Sequence, residues 1–212
     1  MTSETPKYPH IGRKEEEVDP AFWARLYQSG ETGWDQGGPS PGLVDFLNGK
    51  NYVLPGRILV PGAGRGHDAR ALARAGFGVT GIDAVASAVE QAVQLARAEK
   101  LEQIEFVQAD FFDLPSSLRG PYDWIFEHTF FCAIDPALRD RYVEIAADLL
   151  KPSGRLLGVF FNIQPESGPP FGTTREELID RFTPYFNLIE EAVPRSLPNR
   201  EGKELLMLWQ RS

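Results

Sequence analysis

The chain has 212 residues, a formal net charge of −8 and a single cysteine. That length accommodates one α/β domain with a sizeable core and is too short for a dinucleotide domain plus a full catalytic domain. The acidic balance, without a clustered basic tract, argues against a nucleic-acid partner, and the lone Cys132 excludes an internal disulfide or a Cys-rich metal site and fits a reducing compartment.

The start, Met1 to His10, is polar with no apolar h-region, and no apolar run approaches a membrane span, so the expectation is a cytoplasmic protein without a membrane partner. Asp19 as N-cap and Pro20 at the first helical position open a helix whose apolar face carries Phe22, Trp23, Leu26 and Tyr27. A Gly/Pro-rich loop from Gly30 to Pro41 holds Trp34 and Asp35, and Leu43 to Leu47 begins another helix. Arg57 to Val60 reads as the first sheet strand, Ala69 to Ala75 as the helix after it and Gly78 to Ile82 as the second strand. Ala84 to Ala98 is an Ala-rich helix with Val85, Val89, Ala92, Val93 and Ala96 on one side. Ile104 to Gln108 and Tyr122 to Glu127 are the third and fourth strands. Arg139 to Leu150 is a helix stopped by Lys151 and Pro152, and Gly154 to Phe161 is the fifth strand. Leu188 to Val193 and Glu204 to Gln210 read as an antiparallel pair at the sheet edge. No repeat, low-complexity block or domain linker interrupts the series.

The chemistry concentrates where the first strand breaks into Gly62, Gly64 and Gly66 and then enters a helix. Glycines there let a backbone approach a ligand closely, and the helix presents unpaired N–H groups. The second strand ends in Asp83, where a carboxylate can accept hydrogen bonds from both hydroxyls of a ribose. The spacing is G-x-G-x-G rather than the dinucleotide G-x-G-x-x-G, and Asp68 stands at the helix start. A carboxylate there repels a diphosphate but pairs with the ammonium of an amino-acid tail, which favours S-adenosylmethionine. At the ends of strands three and four, Asp110 offers an acceptor for an exocyclic amine, Phe111 or Phe112 an aromatic face, and Glu127 and His128 polar groups.

These residues resemble a class I S-adenosylmethionine-dependent methyltransferase of the thiopurine S-methyltransferase superfamily, closest to its thiol, thiocyanate and halide branch. The similarity runs from Phe22 to the C-terminus through Gly30 to Gly37, Val60 to Asp68, Asp110 to Phe112, Phe130 to Pro136, Gly168 to Phe171 and Ser196 to Glu204. It implies a Rossmann-like α/β fold: a mostly parallel seven-stranded sheet with an antiparallel C-terminal strand and helices on both faces. It implies one methyltransferase domain over 1–212, with 1–50 a helical lid segment and 55–212 the core. Carried over, Gly62, Gly64 and Asp68 hold the methionine portion of S-adenosylmethionine, Asp83 the ribose, and Asp110 with Phe111 the adenine, while Trp23 and Trp34 close over the cofactor. S-adenosylhomocysteine would be the product. Tyr27 stands where the family usually has a second tryptophan and Ala63 where this branch often has cysteine.

A soft anionic nucleophile needs positioning and water exclusion more than a base. Trp23, Tyr27, Trp34 and Phe171 suit an aromatic lid of that kind, so Tyr27, Trp34 and His128 are the candidate catalytic residues, His128 also standing among the cofactor contacts. His128 can take a proton from a thiol or, protonated, attract an anion. Cys132 lies among apolar neighbours and reads as packing; Arg200 and Lys203 read as a solvated turn unless they reach the site mouth. The expected partner is a small-molecule acceptor, no metal cluster is visible, and a monomer is the default. A nicotinamide oxidoreductase, an O- or N-methyltransferase and a noncatalytic nucleoside-binding module are the rivals.

Overall fold

The computed structural model describes residues 13–14, 17–49 and 54–212; the polar lead 1–10 lies outside them. In chain order the elements are β1 (Arg13–Lys14), α1 (Pro20–Ser29), α2 (Pro41–Asn48), β2 (Arg57–Pro61), α3 (His67–Arg74), β3 (Gly78–Asp83), α4 (Ala86–Ala98) and β4 (Ile104–Gln108). They continue with β5 (Tyr122–His128), α5 (Arg139–Leu149), β6 (Leu150–Phe161), β7 (Ser167–Gly168), α6 (Arg175–Phe182), β8 (Phe186–Ala192) and β9 (Glu204–Arg211).

The main sheet has seven strands in the order β4-β3-β2-β5-β6-β9-β8. β4, β3, β2, β5 and β6 pair in parallel, and β9 runs antiparallel to both β6 and β8. The edge pair of the sequence reading is therefore real, with the last strand inserted inside β8. Successive residues of each strand feed opposite faces, as the period of two requires. Ile58 and Val60 of β2 and Leu206 and Leu208 of β9 join Ala69 and Leu72 of α3 on one face. Leu59, Met207 and Trp209 join Tyr142 and Val143 of α5 and Phe182 of α6 on the other. Both faces are thus covered by helices, which is what a largely parallel sheet needs.

Local signals account for most boundaries. The Asp19 carboxylate accepts from Phe22 N at 2.7 Å, and Gly30, at φ 77°, closes α1 with its N–H on the last-turn carbonyls. α2 starts two residues before the expected Leu43 because Ser40 caps it and Pro41 fits its first turn. α4 starts at Ala86; of the expected face, Val85, Ala92 and Ala96 are buried and Val89 and Val93 half-buried, and Ala88 joins the buried stripe. β6 begins at Leu150, four residues before the expected Gly154, the irregularity being absorbed at Ser153 with φ 59°. α6 and the short parallel pair β1 with β7 had no counterpart in the sequence reading.

The strand order reverses between β2 and β5, which depart in opposite directions across the sheet. Ligands of open α/β sheets sit in the crevice beyond the carboxyl ends of such a pair. Here those ends carry Gly62 and His128.

Candidate active site

Beyond β2 the chain turns sharply, with Gly62 at φ 58° and Gly64 at φ 53°, dihedrals that L side chains rarely adopt. A Cβ on Gly62 would lie 2.5 Å from Phe130, and one on Gly64 would lie 3.1 Å from the Tyr27 hydroxyl, so the turn is a cradle a side chain would fill. Gly64 N donates to Asp83 Oδ2 and Val85 N to Asp83 Oδ1, both at 2.9 Å. Asp83 therefore ties the glycine turn to the end of β3. Burial pushes its carboxyl pKa up, opposed by those two N–H donors.

The cleft is walled by Tyr27, Trp34, Gly62, Gly64, Asp68 and His128. Trp34 meets Tyr27 edge-on with ring centroids 5.4 Å apart, and Trp23, which is not among the residues walling the cleft, meets Trp34 edge-on at 5.1 Å. Burial, then the nearby Asp83 charge, push the Tyr27 phenol up to about 12, so it stays protonated.

Asp68 and His128, sixty positions apart, form the centre of a charge cluster. Asp68 Oδ2 lies 2.7 Å from His128 Nδ1, and Asp68 Oδ1 accepts from Ser40 N at 2.7 Å. On the other side of the ring, Arg200 Nη1 lies 3.2 Å and Glu204 Oε1 3.8 Å from His128 Nε2. The Arg200 contact suits a neutral ring, whereas the carboxylates favour a charged one. Burial disfavours the imidazolium, but Asp68 and Glu204 outweigh it and lift the pKa to about 9. The charge balance supports that direction: with His128 protonated, two carboxylates face two cations, and without it the dry cluster carries an excess negative charge.

Several expectations change at this point. Asp68 has protein partners on both oxygens. Arg200 is not a solvated turn residue: it is 6% exposed, donates to the Trp34 carbonyl at 3.0 Å and stacks over Phe161. Lys203 does lie in an exposed turn, bonded to the Asn199 carbonyl. Phe171 cannot belong to a lid, because it is fully buried with its N–H on the Cys132 carbonyl at 2.7 Å. The guanidinium of Arg139 fixes that loop by donating to the carbonyls of Phe171 and Gly172.

Asp110 is exposed and caps the turn that follows it by accepting from Phe112 N at 2.8 Å. Phe111 goes to the core, 3% exposed against Tyr142, so the partly exposed ring at this strand end is Phe112. Glu127 is structural: it accepts from Phe130 N, Phe131 N and the Tyr142 hydroxyl, and burial lifts its pKa to about 7. It thereby holds the turn in which Thr129 takes φ 64°. Cys132 is buried with its pKa pushed by burial up to about 12, an inert packing residue as expected. Asp35, Ser40 and Glu204 had no assigned role in the sequence reading; the Arg200-to-Glu204 spacing of four was the available signal for the last. Among the described residues no three His, Cys, Asp or Glu side chains converge as a metal site.

A doubly covered sheet of this order, with a glycine turn after its central strand and an acid ending the next, defines a class I S-adenosylmethionine-dependent methyltransferase. The fold matches that of Burkholderia thailandensis 1,6-didemethyltoxoflavin-N1-methyltransferase bound to S-adenosylhomocysteine, with a TM-score of 0.71 at 22% identity over 91% of this chain and 87% of that one. The family model "Thiopurine S-methyltransferase (TPMT)" matches residues 18–205, and the chain belongs to that family. It is 35% identical over 201 residues to thiocyanate methyltransferase 1 of Brassica oleracea, covering 92% of this chain and 87% of the relative. It is 30% identical over 171 residues to thiopurine S-methyltransferase of Legionella pneumophila strain Corby, covering 74% and 77%.

Proposed function

We propose that this methyltransferase acts on a small acceptor that arrives already anionic, a thiolate, bisulfide, thiocyanate or halide. The observation that carries this is that both histidines on the cleft wall have both ring nitrogens engaged by protein groups, His128 by Asp68 and Arg200 and His67 by Asp35 and Arg70, while the Tyr27 phenol, pushed up to about 12, keeps its proton. The names of the thiocyanate and thiol methyltransferase relatives agree with it. When bound in this cleft, S-adenosylmethionine would supply a sulfonium methyl for transfer to the acceptor's lone pair, with S-adenosylhomocysteine as the product.

The chain's own groups bind, orient and exclude water. The Gly62 and Gly64 turn and Asp68 would hold the methionine portion, Asp83 the ribose hydroxyls, and Asp110 with the backbone at Phe111 the adenine edge. Tyr27 and Trp34 would keep solvent from the nucleophile, with Trp23 supporting Trp34, and aromatic faces tolerate a sulfonium cation. His128, as imidazolium, and Arg200 would supply positive potential toward an anion. A lid segment over 1–50 on a core over 55–212, a monomer and a cytoplasmic location belong to the same proposal, the last supported by the single, buried cysteine. Separately, no described helix is long and apolar enough to cross a membrane.

Methyl transfer from labelled S-adenosylmethionine to bisulfide, thiocyanate, iodide, an aromatic thiol and a catechol tests the acceptor class. Turnover is expected with the sulfur and halide acceptors; transfer to the catechol alone would overturn the assignment. Iodide also isolates the role of His128, because it carries no proton. Its methylation should fall by about tenfold as pH rises through about 9, where the imidazolium loses its charge. His128→Gln should be slow and flat across the same range, and a wild-type profile without this fall would remove His128 charge from the mechanism.

A further inference from the structure

The segment Trp34 to Gln36 crosses the cleft and is tied on both banks. Toward the C-terminal bank, the Trp34 carbonyl accepts from Arg200 Nη2 at 3.0 Å and Gln36 Oε1 accepts from Asn199 at 3.1 Å. Toward the glycine-turn bank the tie is a single carboxylate. Asp35 Oδ2 lies 2.7 Å from Arg65 Nη1, and Asp35 Oδ1 lies 3.0 Å from His67 Nε2. Both partners are anchored from behind, Arg65 by Gln91 at 2.8 Å and His67 by Arg70 at 3.1 Å. A carboxylate accepts and a guanidinium donates, so His67 uses Nε2–H toward Asp35 and Nδ1 toward Arg70.

The Asp35 side chain is 8% exposed, which makes an unpaired charge there costly. Burial opposes its ionisation, yet the Gly37 N–H, His67 and Arg65 outweigh it and hold the carboxyl below its usual pKa. Arg65 follows the glycine turn and His67 opens α3, and both line the same cleft as Trp34. With the lid tied to both banks, a ligand in the cleft is covered, and exchange requires release of at least one tie.

We propose that Asp35 is the latch of this lid, a positioning residue that holds Trp34 over the glycine turn through Arg65 and His67 and so sets how long the cofactor and its product stay bound. The proposal rests on the methyltransferase assignment. It makes no demand on the acceptor: Asp35 touches lid and glycine turn and acts on the reaction through the aromatic wall. Cofactor residence and cofactor KM are therefore the quantities it controls, while the ranking of acceptors is left to other residues.

The test is the dissociation of S-adenosylhomocysteine from the full chain, followed by tryptophan fluorescence in a stopped-flow displacement. Asp35→Asn should release it about tenfold faster, raise KM for S-adenosylmethionine more than that for iodide, and leave the order of acceptors unchanged. Arg65→Gln, at a partly exposed position, supplies a second variant should Asp35→Asn fold poorly; its effect should not multiply with that of Asp35→Asn, because both break the same tie. Asp35→Glu, which keeps the charge, should recover part of the loss. Release from both single variants within about twofold of the wild type would overturn the latch. A wild type that binds no S-adenosylhomocysteine would instead overturn the cofactor assignment on which the latch depends.

Discussion

Asp83→Ala should weaken S-adenosylhomocysteine binding by about a hundredfold, equivalent to about 3 kcal/mol. Two losses combine. The carboxylate accepts from Gly64 N and Val85 N, so its removal leaves one backbone donor of the glycine turn and one at the start of α4 without their partner. It also removes the acceptor proposed for the ribose hydroxyls, and hydrogen bonds to a charged group contribute about 1.5 to 3 kcal/mol each. Asp83→Asn separates the two, since its amide oxygen can keep one N–H but presents no charge. Because burial raises the Asp83 pKa and the carboxylate is the accepting form, wild-type affinity should fall as pH drops into the upper carboxylate range. Titration calorimetry is the direct measurement, and an Asp83→Ala affinity within about twofold of the wild type would remove Asp83 from the site.

Arg139→Met should cost about 3 to 5 kcal/mol of stability, the largest loss expected from a single side chain outside the cleft. Arg139 and Glu177 are both completely buried and paired at 2.9 Å. The same guanidinium donates to the carbonyls of Phe171 and Gly172 and lies 4.7 Å above the Phe131 ring. Its removal strips those carbonyls of a donor and leaves Glu177 to Arg181 and Thr173. The double variant Arg139→Met with Glu177→Gln should recover part of the loss, because the excess buried charge is then gone. Urea unfolding with matched slopes for wild type and variants checks this; a single-variant loss under about 1 kcal/mol would show that the pair contributes little beyond packing.

Features of the sequence with a local physical cause were legible. Asp19 and Pro20 announce α1, the glycines announce the turn after β2, and Asp83 ends β3 where a short apolar run stops. The resemblance supplied the mostly parallel seven-stranded sheet, which no periodicity specifies, and the strand order comes from the structure. α6 was missed because Arg175 to Phe182 is dominated by charged residues, and its buried Glu177 is apolar neither in type nor in pattern. Phe171 looked like a lid residue because a lone aromatic in a Gly/Pro-rich stretch has no face to read; only the Arg139 contacts explain its burial. The Asp68 to His128 pair joins the start of α3 to the end of β5, and the Asp35 ties join a loop to a turn about thirty positions away. Such pairings are made by the sheet order, so a local pattern cannot contain them.

The placement of β9 also has a consequence for the order in which the molecule is assembled. β8 pairs in the main sheet only with β9, and β9 supplies the lateral partner of β6 through seven residue pairs from Arg155 to Phe161. A nascent chain that has emerged as far as β8 therefore has no place for that strand and leaves one side of β6 open, a transient edge of the kind that invites mispairing. Arg200 and Glu204 arrive at the threshold of the same final strand and carry the far side of the His128 cluster. Sheet closure and completion of the charged wall of the cleft are thus one event, so a chain able to retain its cofactor is one whose sheet is already whole.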